Sequence, residues 1–197
     1  MKRRNLLFAA FTAPLASLSL RARDLKYPDG SELVGRPAPP LEIKQWLHSQ
    51  PMEMSDLRGK VVLLRWWTQS CPFCTATAPA LHKLDAEYGA RGLQIIAIYH
   101  PKPPGSVNTA VVEPDAAKKD FTYPIAIDTD WSALKRWWLG QERDYTSVSF
   151  LVDRQGIIRY VHAGGEFHEG TQGGHDAHES CNRDFRDIES EIGRLLG

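Results

Sequence analysis

The chain is poor in cysteine, with three among 197 residues, and it has no excess charge of either sign, because 24 basic residues balance 24 acidic ones. A neutral chain gives no reason to expect nucleic acid or an anionic membrane surface as a partner. A zinc site built on two cysteines needs a second ligand pair at a suitable spacing, and the third cysteine, Cys181, stands far along the chain from the other two. We therefore expect no nucleic-acid partner, no cofactor and no metal at the cysteine pair.

An apolar run long enough to span a bilayer is also missing near the start of the chain. The stretch from Leu6 to Leu20 follows three basic residues, Lys2 to Arg4, and ends at Arg21. It is shorter than the ~20 residues that a membrane-spanning helix needs, and a short apolar core behind a basic start is typical of a signal peptide. We predict a signal peptide over residues 1–22, with its cleavage site left open, and a periplasmic or otherwise exported protein. An uncleaved membrane anchor is the alternative.

The segment Cys71-Pro72-Phe73-Cys74 indicates a redox site, because it follows the apolar run 61–67 and precedes a stretch predicted to be helical. Pro72 has a fixed φ and no N–H, which suits the first helical position, so Cys71 is predicted at the N-cap. There the helix dipole and the unpaired N–H groups favour a thiolate, the form that attacks disulfides. Cys74 lies one turn further on, where it can close an intramolecular disulfide and release a trapped partner. We predict that Cys71 attacks and Cys74 resolves.

Apolar runs and turn signals predict strands that alternate with helices, which is typical of an α/β domain whose central sheet is covered on both faces. We expect one domain over residues 33–197, with a Gly/His-rich loop at 163–180 and a C-terminal helix. The runs 61–67 and 93–99 lack alternation and are expected to be the central strands. The predicted strands are 61–67, 93–99, 124–128, 148–153 and 157–162, after an extended segment near 41–47, and the predicted helices are 72–88, 114–120, 131–139 and 182–196.

Several segments resemble a known family. They are Gly35–Leu41, Asp56–Leu64, Trp67–Cys74 with Pro79 behind it, and Phe150–Arg159. Together they resemble the thioredoxin-like fold, and most closely the exported thiol–disulfide oxidoreductases of the TlpA/ResA type, which neighbour the AhpC/TSA peroxiredoxins. The resemblance covers about residues 33 to 162. It implies a central mixed sheet, disulfide-containing exported proteins as substrates, and a membrane thiol as electron donor.

The chain departs from the family pattern at three positions. Ser70 stands where the family usually has tryptophan, and Arg65 where a small polar residue is common. Ser147 replaces the cis-proline that the family places beside the cysteine pair. Because a cis bond before a residue other than proline costs about 3 kcal/mol, we expect a trans Thr146–Ser147 bond, with Ser147 close to the two cysteines.

Two strand residues have alternative interpretations. Trp67 either contributes to the groove beside Cys71 or packs in the core. A buried charge such as Arg65 is costly unless paired, so we expect an ion pair with an acidic residue such as Asp128 or Asp153. The alternative is that the Arg65 charge reaches the active-site side and helps to stabilise the Cys71 thiolate.

Two alternative functions stay open. Thr68-x2-Cys71 resembles the peroxiredoxin Thr-x2-Cys signature, which would indicate a thiol peroxidase. His175-x2-His178-x2-Cys181 has a spacing that can ligate a transition metal, which would indicate a metal-binding or redox-sensing module. A plain surface loop is the simpler interpretation of that stretch, and we expect Cys181 to be dispensable for disulfide exchange.

Overall fold

A six-stranded mixed sheet forms the centre of the computed structural model, which describes residues 29–140, 143–171 and 178–197. The predicted signal peptide, 1–22, lies outside the described residues. The strands are β1 (Trp46–Leu47), β2 (Val61–Trp67), β3 (Leu93–Tyr99), β4 (Ile125–Ile127), β5 (Ser149–Val152) and β6 (Ile158–His162). The helices are α1 (Pro72–Tyr88), α2 (Thr109–Lys118), α3 (Ser132–Leu134, continued by a π-helical turn, Lys135–Leu139) and α4 (His178–Leu196), with 3-10 turns at Ser31–Leu33 and Gly89–Arg91.

The strand order is β1-β4-β3-β2-β5-β6, so β2 and β3 occupy the middle of the sheet as predicted. Strand β2 runs parallel to β3 and antiparallel to β5. All seven residues of β2 are buried, which explains why its sequence is apolar without alternation.

Successive β2 side chains enter two different cores. Leu63 and Trp67 pack on the face that α1, α2 and α4 cover. Leu64 and Trp66 pack on the other face, against Trp137 in the π-helical turn and the segment before β2. Helices therefore cover both faces of the sheet, as the α/β prediction required. Among the described residues, no helix combines the length and the apolar character that crossing a membrane requires.

The central elements β2, β3 and α1 begin and end at the predicted residues, whereas two other helices begin earlier than predicted. Helix α2 starts at Thr109 because the Asn108 side chain accepts a hydrogen bond from the N–H of Ala110 at 3.0 Å. Helix α4 starts at His178, so the prediction that Cys181 lies in a loop is wrong. Cys181 begins the buried stripe that Phe185 continues one turn later, and burial of this stripe extends the helix toward its N-terminus.

The turn between β5 and β6 is organised by the buried carboxylate of Asp153. It accepts hydrogen bonds from the N–H groups of Gln155 and Ile157, each at 2.9 Å, and from Nε of Arg159 at 2.6 Å. Burial by itself raises the pKa of Asp153. The hydrogen bonds from Ile157, Arg159 and Gln155 outweigh burial, so the pKa lies below its ordinary value of 3.8.

A carboxyl group with a lowered pKa stabilises the fold above its unfolded-state pKa, and that contribution is lost as pH falls through the folded-state pKa. We expect Asp153→Asn to lower the free energy of unfolding by about 1–2 kcal/mol near neutral pH. The difference from wild type should shrink as pH falls from the ordinary carboxyl pKa of 3.8 through the lower folded-state pKa of Asp153. Urea unfolding of both proteins, near neutral pH and again below pH 3.8, measures the stability loss and its pH dependence. Asp187→Asn, on the exposed side of α4, serves as the control and should change little at either pH. A pH-independent loss for Asp153→Asn would contradict this account.

Candidate active site

The cysteine pair lies where β2 ends and α1 begins. Cys71 is the N-cap of α1 with an extended backbone, and Pro72 follows at the first helical position. The N–H of Cys74 points at Sγ of Cys71, 3.2 Å away, and the two sulfurs form a disulfide across a Cα–Cα distance of 5.3 Å. This arrangement confirms the predicted N-cap. In the reduced protein, the same N–H and the helix dipole favour a thiolate at Cys71.

The two cysteines differ in accessibility. Cys71 is 9% exposed and borders an open groove, whereas Cys74 is 2% exposed and lies beneath it. A partner disulfide can therefore reach Cys71 before Cys74.

Ser147 lies beside both cysteines. Its Oγ is 3.6 Å from Sγ of Cys71 and 3.8 Å from Sγ of Cys74. The position follows from the sheet, because the N–H of Trp66 donates to the carbonyl of Val148 at 3.0 Å and holds this segment against the end of β2. In the described part of the chain the cis peptide bond is Lys102–Pro103, so Thr146–Ser147 is trans. Both geometric predictions for Ser147 are confirmed.

The groove beside Cys71 has a volume of about 920 Å³ and is open to solvent. Three chain segments provide most of its walls. They are Thr68–Phe73, Asp144–Ser147 and Ala163–Gly165, with Asp29 and Lys102 at the edge. Thr68 and Pro72 thus line the groove, and their supporting role stays a prediction. Phe73, an apolar side chain 48% exposed, stands next to the cysteines.

Trp67 does not line the groove. Its ring is fully buried and makes T-shaped contacts with the rings of Tyr99 and Phe121, at centroid distances of 5.0 Å and 5.2 Å. Alternation along β2 directs this side chain under α1, into the same core as the cysteines. The prediction of Trp67 as a supporting site residue is therefore wrong, and its alternative, core packing, is confirmed.

Arg65 is buried on the same face of β2 as Trp67. Its guanidinium donates to Oγ of Ser149 at 3.2 Å and to the carbonyl of Gly165 at 2.8 Å, and it lies 5.8 Å from the centroid of the Phe167 ring. Burial lowers the pKa of Arg65 to about 10, although the nearby charge of Glu166 opposes that shift. The side chain thus stays charged near neutral pH and is held mainly by hydrogen bonds.

The predicted ion pair of Arg65 with Asp128 or Asp153 is wrong. The carboxylate of Asp128 accepts hydrogen bonds from two backbone N–H groups at the start of α3. Asp153 pairs with Arg159 instead. Each carboxylate bonds to groups close to the end of its own strand, β4 for Asp128 and β5 for Asp153. Neither one pairs with a side chain in the middle of β2.

The third groove wall, residues 163–165, was not predicted as part of the site. Gly164 has a φ of +90°, and a Cβ at this position would come within 2.6 Å of the Tyr145 ring. Only glycine allows such close approach to the segment that carries Ser147. The available sequence signal was the adjacent pair Gly164-Gly165 in the predicted Gly/His-rich loop.

Cys181 does not reach the groove. It is buried in the first turn of α4, and burial raises the pKa of its thiol. His175, the first residue of the predicted His-x2-His-x2-Cys spacing, lies outside the described residues.

The fold matches solved thiol–disulfide proteins. A thiol-disulfide isomerase from Corynebacterium glutamicum superposes with a TM-score of 0.59 at 22% identity, over 81% of this chain and 97% of that one. At this identity the likeness shows the fold alone. Together with the CxxC pair, it defines the class as a thioredoxin-like protein with a redox-type site.

Curated relatives narrow this class. The ResA protein of Halalkalibacterium halodurans, a thiol-disulfide oxidoreductase, is 29% identical over 119 residues, which are 60% of this chain and 62% of that protein. Protein DipZ of Mycobacterium tuberculosis is 31% identical over 136 residues, which are 64% of this chain and 18% of DipZ. The chain thus spans less than two thirds of either relative. A family model for the AhpC/TSA family matches residues 34–161. The chain belongs to the AhpC/TSA family, and within it to the TlpA/ResA-type thioredoxin-like proteins.

The N-cap geometry predicts unequal thiol reactivity in the reduced protein. We expect brief treatment with iodoacetamide near neutral pH to label Cys71 about tenfold or more faster than Cys74, because Cys71 has the larger thiolate fraction and the greater exposure. Peptide mass spectrometry identifies the labelled residue. Cys71→Ser is the control and should leave Cys74 slow to react. Preferential labelling of Cys74 would reverse the assigned roles.

Proposed function

We propose that this protein is an exported thiol–disulfide oxidoreductase that acts on disulfides in other exported proteins. One observation carries the proposal: Cys71 borders an open groove at the N-terminus of α1, and Cys74 is buried directly beneath it and bonded to it. The names of relatives such as ResA agree with this activity.

The exchange has two steps. The Cys71 thiolate attacks one sulfur of a partner disulfide, a mixed disulfide forms, and the other partner sulfur leaves as a thiolate. The Cys74 thiolate then attacks Sγ of Cys71, which restores the Cys71–Cys74 bond and releases the second partner thiolate. Two electrons pass to the partner, and both of its sulfurs take up protons from solvent. A membrane thiol donor would return the pair to its reduced state.

The groove supports a polypeptide as substrate. It is open and mixed in character, with the exposed ring of Phe73 on one side and the backbone of 145–147 and 163–165 on the other. An extended chain can lay its backbone against such walls while its disulfide reaches Cys71. Export is supported by the basic and apolar pattern of residues 2–21.

Trapping the mixed disulfide tests the proposal directly. We expect Cys74→Ser to accumulate partner proteins from the exported compartment that are covalently attached through Cys71 and released by dithiothreitol, since the second step is blocked. Non-reducing gels followed by mass spectrometry identify them. Cys71→Ser is the matched control and should capture none. Insulin reduction should fall to background in both variants. Full insulin reduction by Cys71→Ser would refute the mechanism.

A thiol peroxidase is the second candidate. Two observations favour it: the match to the AhpC/TSA family over residues 34–161, and the position of Thr68 in the groove, three residues before Cys71. Insulin reduction and peroxide turnover, measured on one sample, separate the two activities.

Ser147 should set the balance between these activities, because its hydroxyl lies within 4 Å of both sulfurs, at the position where the family has proline. We expect Ser147→Pro to raise the ratio of insulin reduction to peroxide turnover by about threefold, which corresponds to about 0.6 kcal/mol. Ser147→Ala removes the hydroxyl without adding a ring, and it controls for loss of the hydroxyl alone. If Ser147→Pro equals wild type in both assays, the residue does not shape the groove.

A further inference from the structure

Three potential metal ligands meet outside the groove. A carboxylate oxygen of Glu166, a ring nitrogen of His168 and Sγ of Cys181 all lie within 4.8 Å of one another. All three side chains are buried, with exposures of 7%, 0% and 6%. Their backbones are also joined, because the N–H of His168 donates to the carbonyl of Cys181 at 3.4 Å. Residues distant in sequence are thus brought to one point inside the protein.

From this cluster we propose that Glu166, His168 and Cys181 bind a zinc ion. Thiolate, imidazole and carboxylate are the ligands that Zn²⁺ takes in proteins, at bond lengths of about 2.0–2.3 Å. Ligand atoms around a tetrahedral zinc ion are then about 3.5 Å apart, so the present spacing closes by roughly an ångström of side-chain rotation. The thiolate selects against Mg²⁺ and Ca²⁺, which prefer oxygen.

The local charges are compatible with a divalent cation. One thiolate and one carboxylate neutralise the two charges of Zn²⁺. Arg65 lies close enough to Glu166 to interact with its charge, but the Arg65 hydrogen bonds go to Ser149 and Gly165. Binding of a metal by Glu166 would leave both Arg65 hydrogen bonds in place.

The fourth position of a tetrahedral ion has a candidate ligand in His178. It precedes Cys181 by three residues, on the same face of α4. Its ring lies 5.5 Å from the ring of His168, measured between centroids. Water can take the same position in its place.

The site would fasten one wall of the groove. Gly164 and Gly165 line the groove, and Glu166 follows them directly. A metal held by Glu166, His168 and Cys181 therefore ties this wall to the first turn of α4. The zinc site is argued from the positions of its three ligands, and it does not require the proposed oxidoreductase activity.

Cobalt provides the test on the wild-type protein. The tag-free chain is oxidised so that Cys71 and Cys74 form their disulfide, and Cys181 is then the cysteine outside a disulfide bond. We expect one equivalent of Co²⁺ to produce a thiolate-to-cobalt charge-transfer band in the near ultraviolet, and one equivalent of Zn²⁺ to remove it. Because this arm needs no substitution, it does not depend on the folding of a variant. Absence of the band would overturn the proposal.

Variants assign the ligands. Cys181→Ser should abolish the band, and His168→Gln should weaken binding by about tenfold or more, since loss of even an outer partner of a ligand costs at least that much. Far-ultraviolet circular dichroism checks that each variant folds. His48→Gln is the matched control, because His48 is exposed and hydrogen bonded to Tyr123 at the opposite edge of the sheet, and it should bind as wild type does. A band that survives Cys181→Ser would overturn the proposal.

Discussion

The pairing of β2 with a strand on each side is the constraint on which the rest of the structure depends. Its parallel pairing with β3 and antiparallel pairing with β5 bury every β2 side chain and fix where the strand ends. Because Cys71 comes four residues after that end and α1 begins at the next residue, Pro72, the cysteine pair lies at the carboxyl end of β2. Because β5 runs in the opposite direction, the residues that precede it, including Ser147, arrive at the same end of the sheet. The directions of β2 and β5 thus bring Ser147 beside Cys71 and Cys74.

The start of α1 gives the two cysteines different chemical properties. The sulfur of Cys71, at the N-cap, faces backbone N–H groups that have no partner inside the helix. The sulfur of Cys74, one turn later, is buried. The same few residues therefore give one cysteine the properties of an attacking group and the other those of an internal resolving group. No additional charged residue is required for this asymmetry.

Arg65 shows how a buried charge can organise a neighbouring segment. Its hydrogen bond to the carbonyl of Gly165 ties the middle of β2 to a groove wall, and the chain that continues from this wall supplies Glu166 and His168. Arg65 therefore holds the groove wall at Gly165 against the buried face of β2.

The sequence by itself determined the elements that follow local rules. We could predict the apolar runs of β2 and β3, the Cys-Pro start of α1 and the position of Ser147 before β5. Strand burial, N-cap preference and family spacing each depend on a few consecutive residues. Only the tertiary structure decided that Trp67 meets Tyr99 and Phe121, that Arg65 donates to the carbonyl of Gly165, and that Cys181 lies beside Glu166 and His168. These contacts join residues far apart along the chain. They depend on which strand lies beside which and on which face of the sheet each helix covers, and no local pattern specifies either.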